Sequence, residues 1–292
     1  MTGDTVLVTG AGGLIGGRVA RRLVERGHRV RATTRDASKR SAETRDLEWV
    51  TCDLSDPPPN GKLFQGVDRA FLLCPDEAGD PYPVLGALVE AAARSGVGGV
   101  VMMTGMGPDR GPTSRFRLAE RELQGSGRAY SILRPNWFMQ TFHTFWRDEL
   151  VRDGRLRLPM GTASVSYVDA RDVAGCAAAL LARDALEGRI FTLTGAEALD
   201  HDEAVSRISA AAERPLEYEA VEADAFSEHL RESGVTSEEI GLLAGLFEDI
   251  REGHLSPVTN DVAALLGVPP RAFSAYAAGH REYWRGDGRP SA

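Results

Sequence analysis

The stretch Val6-Leu-Val-Thr-Gly-Ala-Gly-Gly-Leu-Ile-Gly16 decides the fold. It predicts a short apolar strand, a glycine turn and a helix that begins near Leu14. Such a turn directs backbone N–H groups and the positive end of a helix at one point, which suits a phosphate. In the spacing Gly10-x-x-Gly13-x-x-Gly16, the first glycine makes the turn, the second admits a pyrophosphate, and the third lets helix and strand pack closely.

A glycine trio alone is also compatible with an ordinary strand-to-helix turn. Its position directly after a β-branched strand near residue 1 favours a nucleotide site. The residues of the turn expected to contact the nucleotide are Gly10, Gly13, Leu14, Ile15 and Gly16.

Composition narrows the class of protein. The 292 residues are 42% hydrophobic, enough for one large α/β domain or a large and a small lobe. A net charge of -8 argues against a nucleic-acid surface, and three scattered cysteines predict neither a disulfide framework nor a metal site. No apolar run is long enough to span a bilayer, and the first strand begins too early for a signal peptide. We therefore expect a cytoplasmic protein without a nucleic-acid or membrane partner.

Strand and helix patterns alternate along the chain with short connections. After the first strand, we predict strands over 29–34, 47–54, 68–75, 98–104 and 128–135. This order predicts a Rossmann-type, doubly wound α/β fold, whose parallel sheet is covered by helices on both faces. We expect residues 1–155 to form this core, with parts of 160–195 returning to it. Residues 196–292 are expected to form a smaller, mostly helical α+β substrate lobe.

Ligands of such sheets bind outside the carboxyl ends of the strands. Arg35 follows the second strand, where an arginine suits a 2′-phosphate and an acid would suit a ribose hydroxyl. A solvated basic loop is the alternative interpretation of Arg35 and Lys39. Because position and residue type agree, we favour NADP(H) over NAD(H). The other candidate cofactor contacts at strand ends are Asp53, Leu54, Cys74, Pro75, Thr104, Pro135 and Phe138, of which Asp53 could equally cap the following turn.

Five aromatic residues crowd into positions 136–146. By helical spacing, Phe138, Phe142 and Phe145 share one face, as in a core helix. One face cannot hold all five rings, so part of the segment is expected to line a cleft for an apolar or aromatic small molecule. We assign this pocket to Trp137, Met139, Phe142 and Trp146, with His143 facing the same cleft.

With the glycine turn, Arg35 and the segment Leu133-Arg-Pro-Asn-Trp-Phe-Met139, the chain resembles the NmrA-like group of atypical short-chain dehydrogenase/reductases. The resemblance runs nearly end to end, through 168–174 to a C-terminal stretch over 258–273 that is similar to ergot-alkaloid-type reductases. It implies a Rossmann fold that binds NADP(H) or NAD(H). It also implies either reduction of quinones, enones or iminium-like carbons, or cofactor sensing without catalysis.

Standard members of the wider family use a Tyr-x-x-x-Lys pair, which this chain lacks. Its two lysines are Lys39 and Lys62, and Pro112 and Phe116 take the positions of the pair. The sequence therefore favours hydride transfer that needs little proton help, in secondary metabolism. His143 and Tyr167 are the candidate proton donors, although a pocket or core role suits each at least as well. A regulatory module that senses NADP(H) and binds a protein, and a redox-neutral epimerase, are the alternatives.

Overall fold

The computed structural model describes residues 3–36, 47–54, 61–75, 79–107, 114–183 and 185–286. It divides into two compact units. Unit 1 comprises Met1–Pro135, Ala170–Leu193 and Asp261–Val268, and unit 2 comprises Asn136–Asp169, Thr194–Asn260 and Pro269–Ala292. The division differs from the expected boundaries, since residues 136–155 fall in unit 2 and residues 261–268 in unit 1.

The strands are β1 (Thr5–Val8), β2 (Arg29–Thr34), β3 (Leu47–Thr51), β4 (Arg69–Leu72), β5 (Gly99–Met103), β6 (Ala129–Pro135), β7 (Arg155–Leu158), β8 (Arg189–Leu193) and β9 (Glu217–Ala220). The helices are α1 (Gly16–Glu25), α2 (Pro81–Arg94), α3 (Arg115–Gly125), α4 (Thr141–Thr144), α5 (Arg147–Asp153), α6 (Ala170–Leu181), α7 (His201–Ala212), α8 (Ala223–Glu232), α9 (Ser237–Arg251), α10 (Asp261–Leu266), α11 (Phe273–Gly279) and α12 (Arg281–Arg285). None of the helices in the described ranges is long and apolar enough to cross a membrane.

Unit 1 is built on a sheet whose seven strands, among the residues described, run in the order β3-β2-β1-β4-β5-β6-β8. Every neighbouring pair is parallel. The chain moves outward from β1 through β2 to β3, then returns to the other side of β1 with β4. The strand order therefore reverses at β1, which is the switch point where ligands of doubly wound sheets bind. This confirms the predicted Rossmann-type α/β fold.

Alternation along the strands explains the two helical layers. Leu7 packs in one apolar cluster with residues of α2 and α3, such as Leu88 and Leu123. Val6 and Val8 are equally buried and point to the opposite face, because side chains alternate along a strand. On unit 1, α1 packs against α6, and α6 packs against α10. The backbone N–H of Thr192 donates to the Asp261 carboxylate at 2.8 Å, which fixes α10 beside β8.

Unit 2 contains the short parallel pair of β7 and β9 with the remaining helices. Two isolated bridges join Phe138 to Val168 and Val165 to Leu199. The side chain of Asn136 fixes the path of the chain just after β6. Its side-chain amide donates to Ser166 Oγ at 2.7 Å and to the Leu255 carbonyl at 2.8 Å.

The predicted helix over 136–146 is wrong in its extent. Only Thr141–Thr144 is helical before α5 begins, because the Asn136 anchor and the Phe138 bridge hold the preceding residues in another conformation. Phe142 is fully buried, whereas Phe145 is 78% exposed. Phe138, Phe142 and Phe145 therefore do not share a face. The first helix also begins at Gly16 rather than near Leu14.

Candidate functional site: a nucleotide cradle and an aromatic cluster

The glycine turn after β1 is too crowded for side chains. Gly10 has a φ of +62°, and a Cβ there would lie 2.6 Å from Leu73 Cδ1. A Cβ on Gly16 would lie 2.3 Å from the carbonyl oxygen of Gly10. Gly13 is exposed, and its N–H donates to the Gly10 carbonyl at 3.0 Å. The first and third glycines are thus required by the protein's own packing, while the second leaves an open face for a ligand.

The N-terminus of α1 has no side-chain cap, although the Gly17 N–H donates to the Gly13 carbonyl at 3.2 Å. Its N-cap is Ile15, which makes no side-chain cap hydrogen bond, and the first turn contains no acidic residue. The first N–H groups of a helix have no acceptor within the helix and carry its partial positive charge. An anion is what satisfies such an end, so the residues present fit a dinucleotide pyrophosphate.

The ends of β1 and β4 are joined by Thr9. Its hydroxyl accepts from the Leu73 N–H at 2.8 Å, and the Thr9 N–H donates to the Phe71 carbonyl. On the other side of β1, the Gly10 N–H donates to Thr33 Oγ1 at 3.1 Å. These bonds hold the turn from both neighbouring strands. The cradle therefore keeps its shape through contacts made inside unit 1.

Several predicted cofactor residues follow the carboxyl ends of the strands as expected. Arg35 is exposed directly after β2, and Asp53 is exposed shortly after β3, whose last residue pairs with Thr34. Cys74 and Pro75 are half-buried after β4. Leu54 is buried, so its side chain packs inside the unit. Lys39 lies outside the described residues.

Thr104 belongs to a buried ionic cluster that the sequence did not reveal. Its hydroxyl donates to Glu120 Oε1 at 2.8 Å, and Arg134 donates to both oxygens of Glu120 at 3.0 and 2.6 Å. Arg117 adds a bond at 3.2 Å. Glu120 is fully buried, and it joins Thr104, directly after β5, and Arg134 of β6 to α3. The available signal for this pairing was an acid on the same face of α3 as Phe116 and Leu123.

The aromatic cluster of unit 2 comprises Trp137, Phe142, Trp146, Tyr167, His201 and Phe273. Phe142 lies at its centre, with edge contacts to Trp146 at 4.9 Å and to Phe273 at 5.2 Å. Phe142 and Met139, which the sequence assigns to a substrate pocket, are almost fully buried, and that assignment stays a prediction. Trp137 and Trp146 are half-buried at the edge of the cluster, 5.9 Å apart between ring centres.

Tyr167 is a core residue rather than an accessible proton donor. It is 1% exposed, and its hydroxyl lies 2.7 Å from Nε2 of the fully buried His201. Burial raises the pKa of Tyr167 well above its ordinary value and lowers the pKa of His201 to about 4. The pair is therefore neutral near pH 7. The sequence analysis did not identify His201. The available signal was a histidine that directly follows Asp200, the N-cap of α7, on the apolar face of that helix.

His143 is held by the C-terminal helices. Its Nδ1 lies 2.7 Å from the hydroxyl of buried Tyr276, and its ring stacks on His280 at 4.7 Å. Tyr283 is a further ring neighbour at 5.2 Å. These contacts give His143 a packing role within unit 2, and its catalytic role stays a prediction.

Comparisons with known proteins find relatives that match nearly the full length of the chain. An NAD(P)H azoreductase of Xenophilus azovorans is 30% identical over 94% of this chain and 97% of its own length. A (4-alkanoyl-5-oxo-2,5-dihydrofuran-3-yl)methyl phosphate reductase of Streptomyces griseus is 31% identical over 95% of this chain and 98% of its own length.

Solved structures agree with the fold. An NADPH-dependent quinone oxidoreductase of Escherichia coli in complex with NADPH has a TM-score of 0.84 at 20% identity, covering 94% of this chain and 99% of its own. A negative transcriptional regulator, NmrA, in complex with NADP has a TM-score of 0.77 at 18% identity, covering 95% of each chain. The NmrA-like family itself matches residues 2–277, and the chain belongs to that family.

Proposed function

We propose that this protein is an NADPH-dependent reductase that delivers hydride to a planar, apolar small molecule such as a quinone, an azo compound or a conjugated iminium. The observation that carries the proposal is the uncapped N-terminus of α1 behind a glycine turn at the switch point of the sheet. NADPH supplies the hydride when bound. The named relatives are reductases, which supports the proposal, and we place the reaction in secondary metabolism.

Unit 1 supplies the cofactor contacts in this proposal. The N–H groups of Leu14, Ile15 and Gly16 bind the pyrophosphate, and the Arg35 guanidinium offers a planar set of donors to a 2′-phosphate. Thr104 follows β5 and Pro135 is the last residue of β6, and the Glu120 cluster holds this edge of the sheet in place. The chain's own residues thus bind and orient the dinucleotide, and positioning is a large part of catalysis in cofactor enzymes.

Proton chemistry limits the acceptor. The chain has no Tyr-x-x-x-Lys pair, and the hydroxyl of Tyr167 is buried against His201. A quinone takes up hydride at a conjugated position, spreads the negative charge over its oxygens and collects a proton from water. An iminium carbon takes up hydride and becomes a neutral amine without any proton. Both reactions proceed without a strong acid in the protein.

The test is NADPH oxidation by the purified protein with a panel of quinones, azo dyes and cyclic iminium compounds. The proposal is supported if the protein turns over these acceptors with NADPH and does so more slowly when NADH replaces NADPH. A Gly16→Ala variant controls for contaminating reductases, because it removes the cradle of this protein alone.

Cofactor sensing is the second candidate function, since the catalytic pair of the wider family is missing. Its signature is tight binding of NADPH with no turnover across the whole panel. That result would contradict the reductase proposal.

A further inference from the structure

Helix α1 carries a cation at the end where helices favour an acid. Arg18 is its third residue, and no acidic residue stands in its first turn. The N-terminus of a helix has a partial positive charge, so an acid stabilises it and a cation destabilises it. Helices α7 and α9 each have two acids in their first turn, as this rule predicts. The position of Arg18 is therefore unfavourable for the helix alone.

Arg18 also directs its charge towards that end of the helix. Its Nη1 donates to the carbonyl oxygen of Leu14 at 2.6 Å, four residues earlier in the chain. Helical side chains lean towards the N-terminus, and this hydrogen bond keeps the guanidinium level with the glycine turn. Arg18 is half-buried, whereas Arg21, three residues later in the same helix, is exposed. The guanidinium of Arg18 thus lies beside the backbone that is expected to hold the pyrophosphate.

A bound anion accounts for this arrangement. A guanidinium has five N–H donors in one plane, so it can bind a backbone carbonyl and phosphate oxygens at the same time. Hydrogen bonds in which a partner is ionised are about twice as strong as those between neutral groups. A phosphate at this point is attracted by the helix end and by Arg18, and its negative charge offsets the repulsion between the two.

We propose that Arg18 binds the pyrophosphate of NADP(H), next to the N–H groups at the start of α1. Arg35, which follows β2, then recognises the 2′-phosphate. The proposal rests on the cofactor site of the proposed function, but it needs no hydride acceptor, because it concerns binding alone. It predicts that Arg18 contributes equally to the binding of NADPH and NADH, whereas Arg35 contributes to the binding of NADPH.

The experiment measures binding by calorimetry with three probes. They are NADPH, NADH and adenosine 2′-monophosphate, which has the 2′-phosphate and lacks the pyrophosphate. Arg18→Met removes the charge and keeps an unbranched side chain. It should weaken NADPH and NADH by about tenfold or more, to the same extent within about twofold, and leave adenosine 2′-monophosphate unchanged.

Two further variants test the role of the charge. Arg18→Lys keeps the charge and should recover most of the lost affinity for both dinucleotides. The matched control, Arg21→Met, makes the same change at an exposed position of α1 and should leave the affinity for all three probes within about twofold of the parent protein.

Unfolding without cofactor separates phosphate binding from a structural role. Arg18→Met removes a cation from a positive helix end, so the unfolding temperature of the cofactor-free protein should stay the same or rise. Saturating NADPH should then raise that temperature by less in the variant than in the parent protein. A lower unfolding temperature without cofactor would show that Arg18 acts by holding the Leu14 carbonyl, and it would overturn the proposal.

The outcomes also separate this proposal from the reductase. Unchanged NADPH affinity in Arg18→Met, or a loss for NADPH alone, would overturn the pyrophosphate assignment and leave the reductase proposal in place. If both dinucleotides lose affinity as expected but the parent protein oxidises NADPH with no acceptor, the reductase proposal is wrong and the assignment of Arg18 stands.

Discussion

Replacing Gly16 by alanine should abolish tight NADPH binding. The added Cβ would lie 2.3 Å from the Gly10 carbonyl oxygen and 2.6 Å from its carbon, whereas non-bonded carbons prefer about 3.5–4.0 Å. The turn or the start of α1 must therefore move by about 1 Å. Because both contacts are backbone atoms, no side chain can rotate away to relieve them.

The size of the effect follows from the hydrogen bonds that the shift would break. A hydrogen bond to a charged group contributes about 1.5–3 kcal/mol, so misdirecting one or two N–H groups costs about 3 kcal/mol. That corresponds to about a hundredfold increase in Kd for NADPH. Calorimetric titration measures it, and thermal unfolding checks that the variant is folded.

A graded series of glycines provides the controls. On Gly17 the Cβ would lie 2.9 Å from the Ala11 carbonyl oxygen, so Gly17→Ala should have an intermediate effect. On Gly125, at the end of α3, it would meet no atom within 4 Å, so Gly125→Ala should bind NADPH normally. If Gly16→Ala bound NADPH within about threefold of the parent protein, the cradle argument would be refuted.

Three other predictions test separate parts of the structure. Arg35→Ala should weaken NADPH binding by about tenfold or more and leave NADH within about twofold, and equal losses would reject the 2′-phosphate assignment. Phe142→Ala should lower the free energy of unfolding by about 3–4 kcal/mol in urea denaturation, and Phe145→Ala by less than ~0.5 kcal/mol, because only Phe142 is buried. His201 is buried and its pKa is lowered to about 4, so it takes up a proton more readily in the unfolded chain. Its contribution to the free energy of unfolding is therefore complete above about pH 6.5 and falls by about 2–3 kcal/mol as the pH drops to about 4. His201→Gln should flatten that pH dependence, and an unchanged profile would show that another group causes it.

The sequence predicted unit 1 well because its signals are local. The central strands β1 and β5 are short apolar runs between turn residues, and the glycine spacing fixes the connection from β1 to α1. Gly10 and Gly16 are required by backbone contacts within a few residues, which spacing alone can reveal. The contribution of 261–268 to unit 1 could not be predicted in this way. It depends on the bond between Thr192 and Asp261, which are far apart in the chain.

Unit 2 was harder to predict because distant residues decide its local structure. The helical spacing of Phe138, Phe142 and Phe145 is overridden by the bonds of Asn136 to Ser166 and Leu255. No sequence pattern distinguishes a buried aromatic residue from one that lines a pocket.

The sequence lacks the Tyr-x-x-x-Lys pair, and three side chains of the structure are also unsuited to supplying a proton. Phe116, at the position of the family lysine, packs against the apolar cluster of unit 1 and can hold neither a proton nor a ribose hydroxyl. Thr104 donates its hydroxyl hydrogen to Glu120, which Arg134 already binds with two hydrogen bonds, so this hydroxyl is committed as well. The hydroxyl of Tyr167 is paired with buried His201. With these hydroxyls engaged, the proposed reductase is expected to act on an acceptor that needs no acid from the protein, such as a quinone that takes its proton from water or an iminium carbon that becomes a neutral amine.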